Sequence, residues 1–86
     1  MTEDAVSVSY ESSDSERILR LTTSDSGIII TQPAQGYGMV VVRDAKDGTE
    51  IERYYALDMA LDHAAEVLNV NPSSIDVPDE AADMGM

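Results

Sequence analysis

The stretch EIERYYALDMALDHAAEVL, Glu50–Leu68, changes its hydrophobic period half-way along, and that change decides the fold. Up to Tyr55 it reads as the strand that returns from the Asp47-Gly48 turn, a β-favouring run. From Leu57 onward the apolar positions Leu57, Leu61, Ala64 and Leu68 recur at i, i+4, i+7 and i+11, one stripe of a helix. Ala60 and Ala65 widen the stripe, and their small side chains permit close packing on a sheet. Asp58, Asp62 and Glu66 form a charged ridge on the opposite side. Asn69 or Asn71 stops the helix, reinforced by Pro72. A strand that runs straight into one amphipathic helix implies a sheet with that helix laid across it.

Working back from Glu50, the chain reads as strands separated by turn clusters. AVSVSYE alternates Val6, Val8 and Tyr10 with Ser7 and Ser9. SSDSE is a turn whose side chains compete for local backbone bonds. RILRLTT places Leu19 and Leu21 on one face, and SDSG closes a tight connection. IIITQ is β-branched enough to be buried on both faces. PAQGYG is a loop, and MVVVRD is the next strand. The expected fold is α+β: an antiparallel meander with strands near 5–10, 16–23, 27–32, 38–44 and 50–55, packed against a helix over 57–68. A short helix is expected over 78–84, ended by Gly85. The chain forms a single small domain over 1–86, frayed at 1–4.

Asp47-Gly48 between two β-favouring runs predicts a type I′ hairpin. A two-residue loop there pairs Val42 with Arg53, and a four-residue loop pairs Val42 with Ile51. Either register puts Val40, Val42, Ile51 and Tyr55 on one face with Asp44 and Arg53, the better core face. Met39, Val41 and Tyr54 then share the other face with Arg43, Glu50 and Glu52. Arg53 is the odd charge on the core side, with Asp44 as its diagonal partner.

Seventeen acids face five bases, a formal charge of −12, with Lys46 the single lysine. At ordinary ionic strength such a charge repels itself, whereas the Debye length in molar salt is only about 3 Å. The composition therefore predicts a protein of a high-salt cytoplasm, which also weakens acidity as an argument against nucleic acid. An acidic mimic of nucleic acid is the other reading of the same charge. No cysteine is present, which removes disulfides and thiolate metal sites. The start of the chain lacks a basic and then apolar leader. The longest apolar run is MVVV, against the roughly 20 residues of a membrane helix. No membrane partner is expected.

His63, the one histidine, lies near Asp58, Asp62 and Glu66, but this pattern is that of a solvated helix face. Neither Gly-x-Ser-x-Gly nor a nucleophile–histidine pairing is visible, so no enzyme activity, cofactor or metal is expected. The residues singled out as an interaction surface are Arg17, Arg20, Tyr37, Arg43, Arg53, Tyr54 and Tyr55. All four arginines fall in strands, with tyrosines interleaved. Such a sheet can bind single-stranded nucleic acid by phosphate contact and base stacking. The meander-plus-helix order also resembles the Whirly-type single-strand-binding architecture, in topology alone. The favoured expectation is a non-enzymatic interaction module, acting as a homodimer or through a protein partner, because one helix covers only one face of a five-stranded sheet.

ERYYALDMALDHAAEVL followed by VPDEAADMGM resembles a family of short acidic proteins of unknown function from halophilic archaea, chiefly over residues 36–86. The resemblance implies a haloarchaeal cytosolic origin and one compact domain. It carries no activity or site residue with it.

Overall fold

The computed structural model describes residues 6–24, 26–34, 39–82 and 84. Five strands, β1 (Ser7–Ser12), β2 (Glu16–Thr22), β3 (Gly27–Pro33), β4 (Val40–Asp44) and β5 (Glu50–Tyr54), pair in chain order as an antiparallel meander. Helix α1 (Leu57–Leu68) crosses one face, and single 3-10 turns follow at Pro72–Ser74 and Asp79–Ala81. This is the expected α+β architecture. The short helix expected over 78–84 contracts to the second of those turns. The fraying expected at 1–4 and the role given to Gly85 lie outside the described residues.

The core follows from the two periods meeting. Leu19, Leu21, Ile28, Ile30, Val40 and Val42 project from one face of β2–β4 and are completely or almost completely buried. Against them pack Leu57, Ala60, Ala64 and Leu68 of α1, then Ile75, Ala81 and Met84 of the tail. Ala60 and Ala64 have no exposed surface, so the small residues sit where helix meets sheet. Ala56 precedes α1 in extended conformation without a side-chain cap, because β5 leads into the helix almost directly. Asn69 ends it in the left-handed conformation at φ 61°, and Asn71 caps the following turn by accepting from the Ser73 N–H.

The β4–β5 hairpin departs from expectation in two ways. Its loop is Ala45–Gly48, closed by Asp44 N–H to the Thr49 carbonyl (2.9 Å) and Gly48 N–H to the Asp44 carbonyl (2.8 Å). Type I′ needs two successive left-handed residues, and here Gly48 alone adopts positive φ, at 76°. Asp47 instead accepts from the Thr49 N–H, which holds its carboxyl below the ordinary range.

The second departure matters more. Arg43 pairs with Glu50, as a four-residue loop requires, but Val42 pairs with Glu52, Val41 with Arg53 and Val40 with Tyr54. One extra residue is taken up between these registers, a β-bulge. A one-residue slip exchanges the faces of everything beyond it. Tyr54 and Glu52 therefore lie on the helix side, and Arg53 lies on the opposite side beside Val41. The expected core-face placement of Arg53, with Asp44 as partner, is overturned. So is that of Tyr55, which is 78% exposed, and Ile51, which is 36% exposed.

Candidate functional site

The face of the sheet away from α1 has no element of the described chain over it. Pairing builds two transverse rows there. One runs Glu11, Ile18, Thr31, Val41, Arg53, and the next runs Ser9, Arg20, Ile29, Arg43, Glu50. Glu16 lies two positions before Ile18 on the same side. Three of the four arginines thus share one surface, with branched apolar side chains between them.

Their stems shield the centre of that surface. Thr31 and Val41 are 6% and 8% exposed, although among the described residues no second layer covers them. Ile18 and Ile29 remain half-buried. An open groove of about 530 Å³ runs along this side, between Thr31, Met39, Val41, Arg43, Arg53 and Glu16.

The charges on this face close on themselves. Arg20 contacts Glu11 at 2.8 Å, and Arg53 donates to Glu50 from both Nε (2.7 Å) and Nη2 (3.0 Å). The Arg53 guanidinium holds the Glu50 carboxyl below its usual range, with Arg43 adding to the effect. Arg43 differs, since its acceptors are neutral: the Gly48 carbonyl at 3.0 Å and Thr31 Oγ1 at 3.4 Å. Among the described residues, three arginines and three glutamates share this face and cancel in formal charge, on a chain whose total is −12.

The other singled-out residues are dispersed. Arg17 lies on the helix side, where Nε donates to Tyr10 Oη (2.9 Å), Nη1 to Gln32 Oε1 (3.4 Å) and Nη2 to the Glu80 carbonyl (2.8 Å). It is a strut between β1, β3 and the C-terminal turn and takes no part in the arginine face. Arg17→Ala is expected to cost about 2 kcal/mol through these lost bonds. Amide exchange should then accelerate from Asp79 to Ala82 while β2–β3 stays protected; uniform protection would contradict the strut role. Tyr37 lies outside the described residues.

Tyr54 has left the arginine face for the helix side, where Oη and His63 Nδ1 are 2.7 Å apart with the rings edge-on. His63, expected to lack a specific partner, therefore has one, created by the bulge. Desolvation, and then the charges of Glu52 and Glu66, raise the Tyr54 hydroxyl above its ordinary 10.0. A folded-state value above the unfolded one contributes stability that is present below pH 10.0 and lost as pH rises through the raised value. Where the ring proton of a neutral imidazole sits on Nε2, the hydroxyl donates to Nδ1. Tyr54→Phe is expected to shift His63 toward the other tautomer, read from its two ring ¹⁵N shifts. Unmoved shifts would show that the hydroxyl does not set the tautomer.

The cleft beside this pair is lined by Tyr54, Met59, Asp62, His63 and Glu66. Among the described residues no group of three His, Cys, Asp or Glu side chains is arranged to hold a metal ion. Among the described residues no helix is long and apolar enough to cross a membrane.

With this geometry in place, comparison with known proteins adds one relationship. The family of unknown function DUF7111 matches residues 1–86. The chain is a member of that family. The match takes in the N-terminal strands as well as the C-terminal half that first suggested a family of unknown function. No curated protein and no solved structure matches the chain.

Of the residues singled out from the sequence, the structure gathers Arg20, Arg43 and Arg53 on one face, beside Ile18, Ile29, Thr31 and Glu16, which were not singled out. The signal for Ile18 was present in RILRLTT, where Ile18 and Arg20 alternate with Leu19 and Leu21.

Proposed function

We propose that this member of DUF7111 is a non-catalytic association module that works in a concentrated-salt cytoplasm and binds a protein surface through the open sheet face. The observation carrying the reading is an apolar-centred face whose described charges cancel, on a molecule of formal charge −12. A partner meeting this face meets ion pairs and branched side chains, on a chain with seventeen acids to five bases. The ratio of acids to bases and the near absence of lysine support the salt environment and, with it, a haloarchaeal origin.

The test is a photocrosslinking residue at position 29, compared with one at position 59 on the exposed side of α1, in a native lysate kept in molar KCl. Adducts confined to position 29 support the reading, and adducts confined to position 59 defeat it.

Single-stranded nucleic acid is the second reading, favoured by three arginines on one surface. Against it, Tyr10 and Tyr54 lie on the helix side, so the interleaved stacking platform is broken up. Arg20 and Arg53 are also already engaged by glutamates. Binding of a labelled oligonucleotide that weakens steeply with salt would restore this reading.

A further inference from the structure

We propose that the occupant of the open face is a second copy of this chain, packed face to face as the other half of a two-layer β-sandwich. This deepens the association reading above and rests on it. A two-fold arrangement requires a surface that complements itself. Here the surface carries one ion pair toward the β1 edge, Arg20–Glu11, and another toward the β5 edge, Arg53–Glu50. Laying β1 of one copy over β5 of its partner sets one such pair against the other, with no net repulsion. The apolar rows of Ile18, Ile29 and Val41 meet across the centre, in the manner of aligned sheets about 10 Å apart. Arg43, whose hydrogen bonds among the described residues go to Thr31 Oγ1 and the Gly48 carbonyl, has N–H groups left for a carboxylate of the facing copy.

Two further observations favour a second copy over a different macromolecule. The first is charge: two bodies of −12 repel each other, and a face whose described charges cancel reduces that repulsion where the copies meet. The second is size. Five strands spaced about 4.8 Å apart and roughly 17–20 Å long present a face that buries on the order of 1,000 Å² in total when paired. That is the lower edge of specific interfaces and corresponds to a reversible dimer of about micromolar or weaker affinity.

Salt gives this proposal a sign. Screening removes the repulsion between the two acidic bodies, so dimerisation should strengthen at least about ten-fold between physiological ionic strength and molar KCl. An acidic partner or a nucleic acid held by the arginines would weaken over the same range.

The experiment is sedimentation equilibrium of the full chain at both salt concentrations, with Ile29→Glu, Ile18→Glu and the control Met59→Glu. Ile18 and Ile29 keep part of their surface in water, so a carboxylate there can be solvated in a single copy; circular dichroism checks that each variant folds. The expected result is a dimer that grows with salt, is lost in both open-face variants, and persists in Met59→Glu. A dimer surviving both open-face variants overturns the proposal, as does one weakened by salt. A wild-type monomer at every salt concentration overturns it too. The crosslinker at position 29 then separates the two levels: an adduct with another protein leaves the association reading standing, and no adduct removes both.

Discussion

Transferring the protein from about 1 M KCl to about 10 mM salt is expected to cost on the order of 5 kcal/mol of folding stability. A formal charge of −12 is confined to a body of 12.0 Å radius of gyration, and five bases are present to offset seventeen acids. In molar salt the Debye length of about 3 Å is shorter than most distances between these carboxylates, so they hardly sense one another. At about 10 mM it reaches about 30 Å, comparable with the whole molecule, and every like charge repels every other. The unfolded chain spreads the same charge over a larger volume and is penalised less. A loss of this size is comparable with the entire stability of a small domain, so urea midpoints should collapse as salt is removed. A midpoint unchanged from low to high KCl would show that the carboxylates are neutralised by some other means.

The second large effect is expected from Ile30→Ala. Ile30 is completely buried on the central strand β3, paired with Leu19 on one side and Val42 on the other, and faces the helix stripe. Its truncation is expected to cost about 3–4 kcal/mol, the transfer of the lost methylenes plus the cavity they leave. The helix contributes the small, fully buried Ala60 and Ala64 to the same core cluster, and these short side chains reach poorly into a new cavity. Measured in molar KCl, where the charge term is silent, the urea midpoint should fall without a change in slope. A loss below about 1 kcal/mol would mean that the helix settles into the gap. Ile29→Ala, one residue along and on the open face, should cost much less in the single copy. The contrast between the two isoleucines therefore reports which face is the core.

That contrast also marks how much of the molecule was legible in the chain. The strand order and the helix follow from local signals. Period 2 to Tyr54, period 3.6 from Leu57, and turn residues between strands leave an antiparallel meander as the short-connection solution. The core members Leu19, Leu21, Val40, Val42, Leu57, Ala64 and Leu68 were likewise visible, since the alternation of each segment separates them from their neighbours. The stop was legible as Asn69 or Asn71, and the left-handed backbone, which few residues other than glycine accept, falls on Asn69.

The candidate site was legible only in part. Arg20 and Arg43 could be placed by alternation within their own strands. Arg53 and Tyr54 could not, because their faces depend on where β5 absorbs one extra residue against β4. Nothing in EIERYY encodes that choice locally: either phase puts a mixture of charge and apolar surface on each side. It is decided by the left-handed Gly48 turn, which sets Arg43 opposite Glu50. It is decided again by packing at the other end, where Tyr54 must reach His63 across the helix. These two constraints differ by one residue, and the bulge reconciles them. In the same way the destination of Arg17 depended on a carbonyl 63 positions away in the tail, at Glu80. Composition and periodicity thus determine the elements, their order and the charge that every surface must contend with. Which arginines gather into one neutral face, and which tyrosine leaves it, depends on a register and a long-range contact that exist only once the sheet has closed.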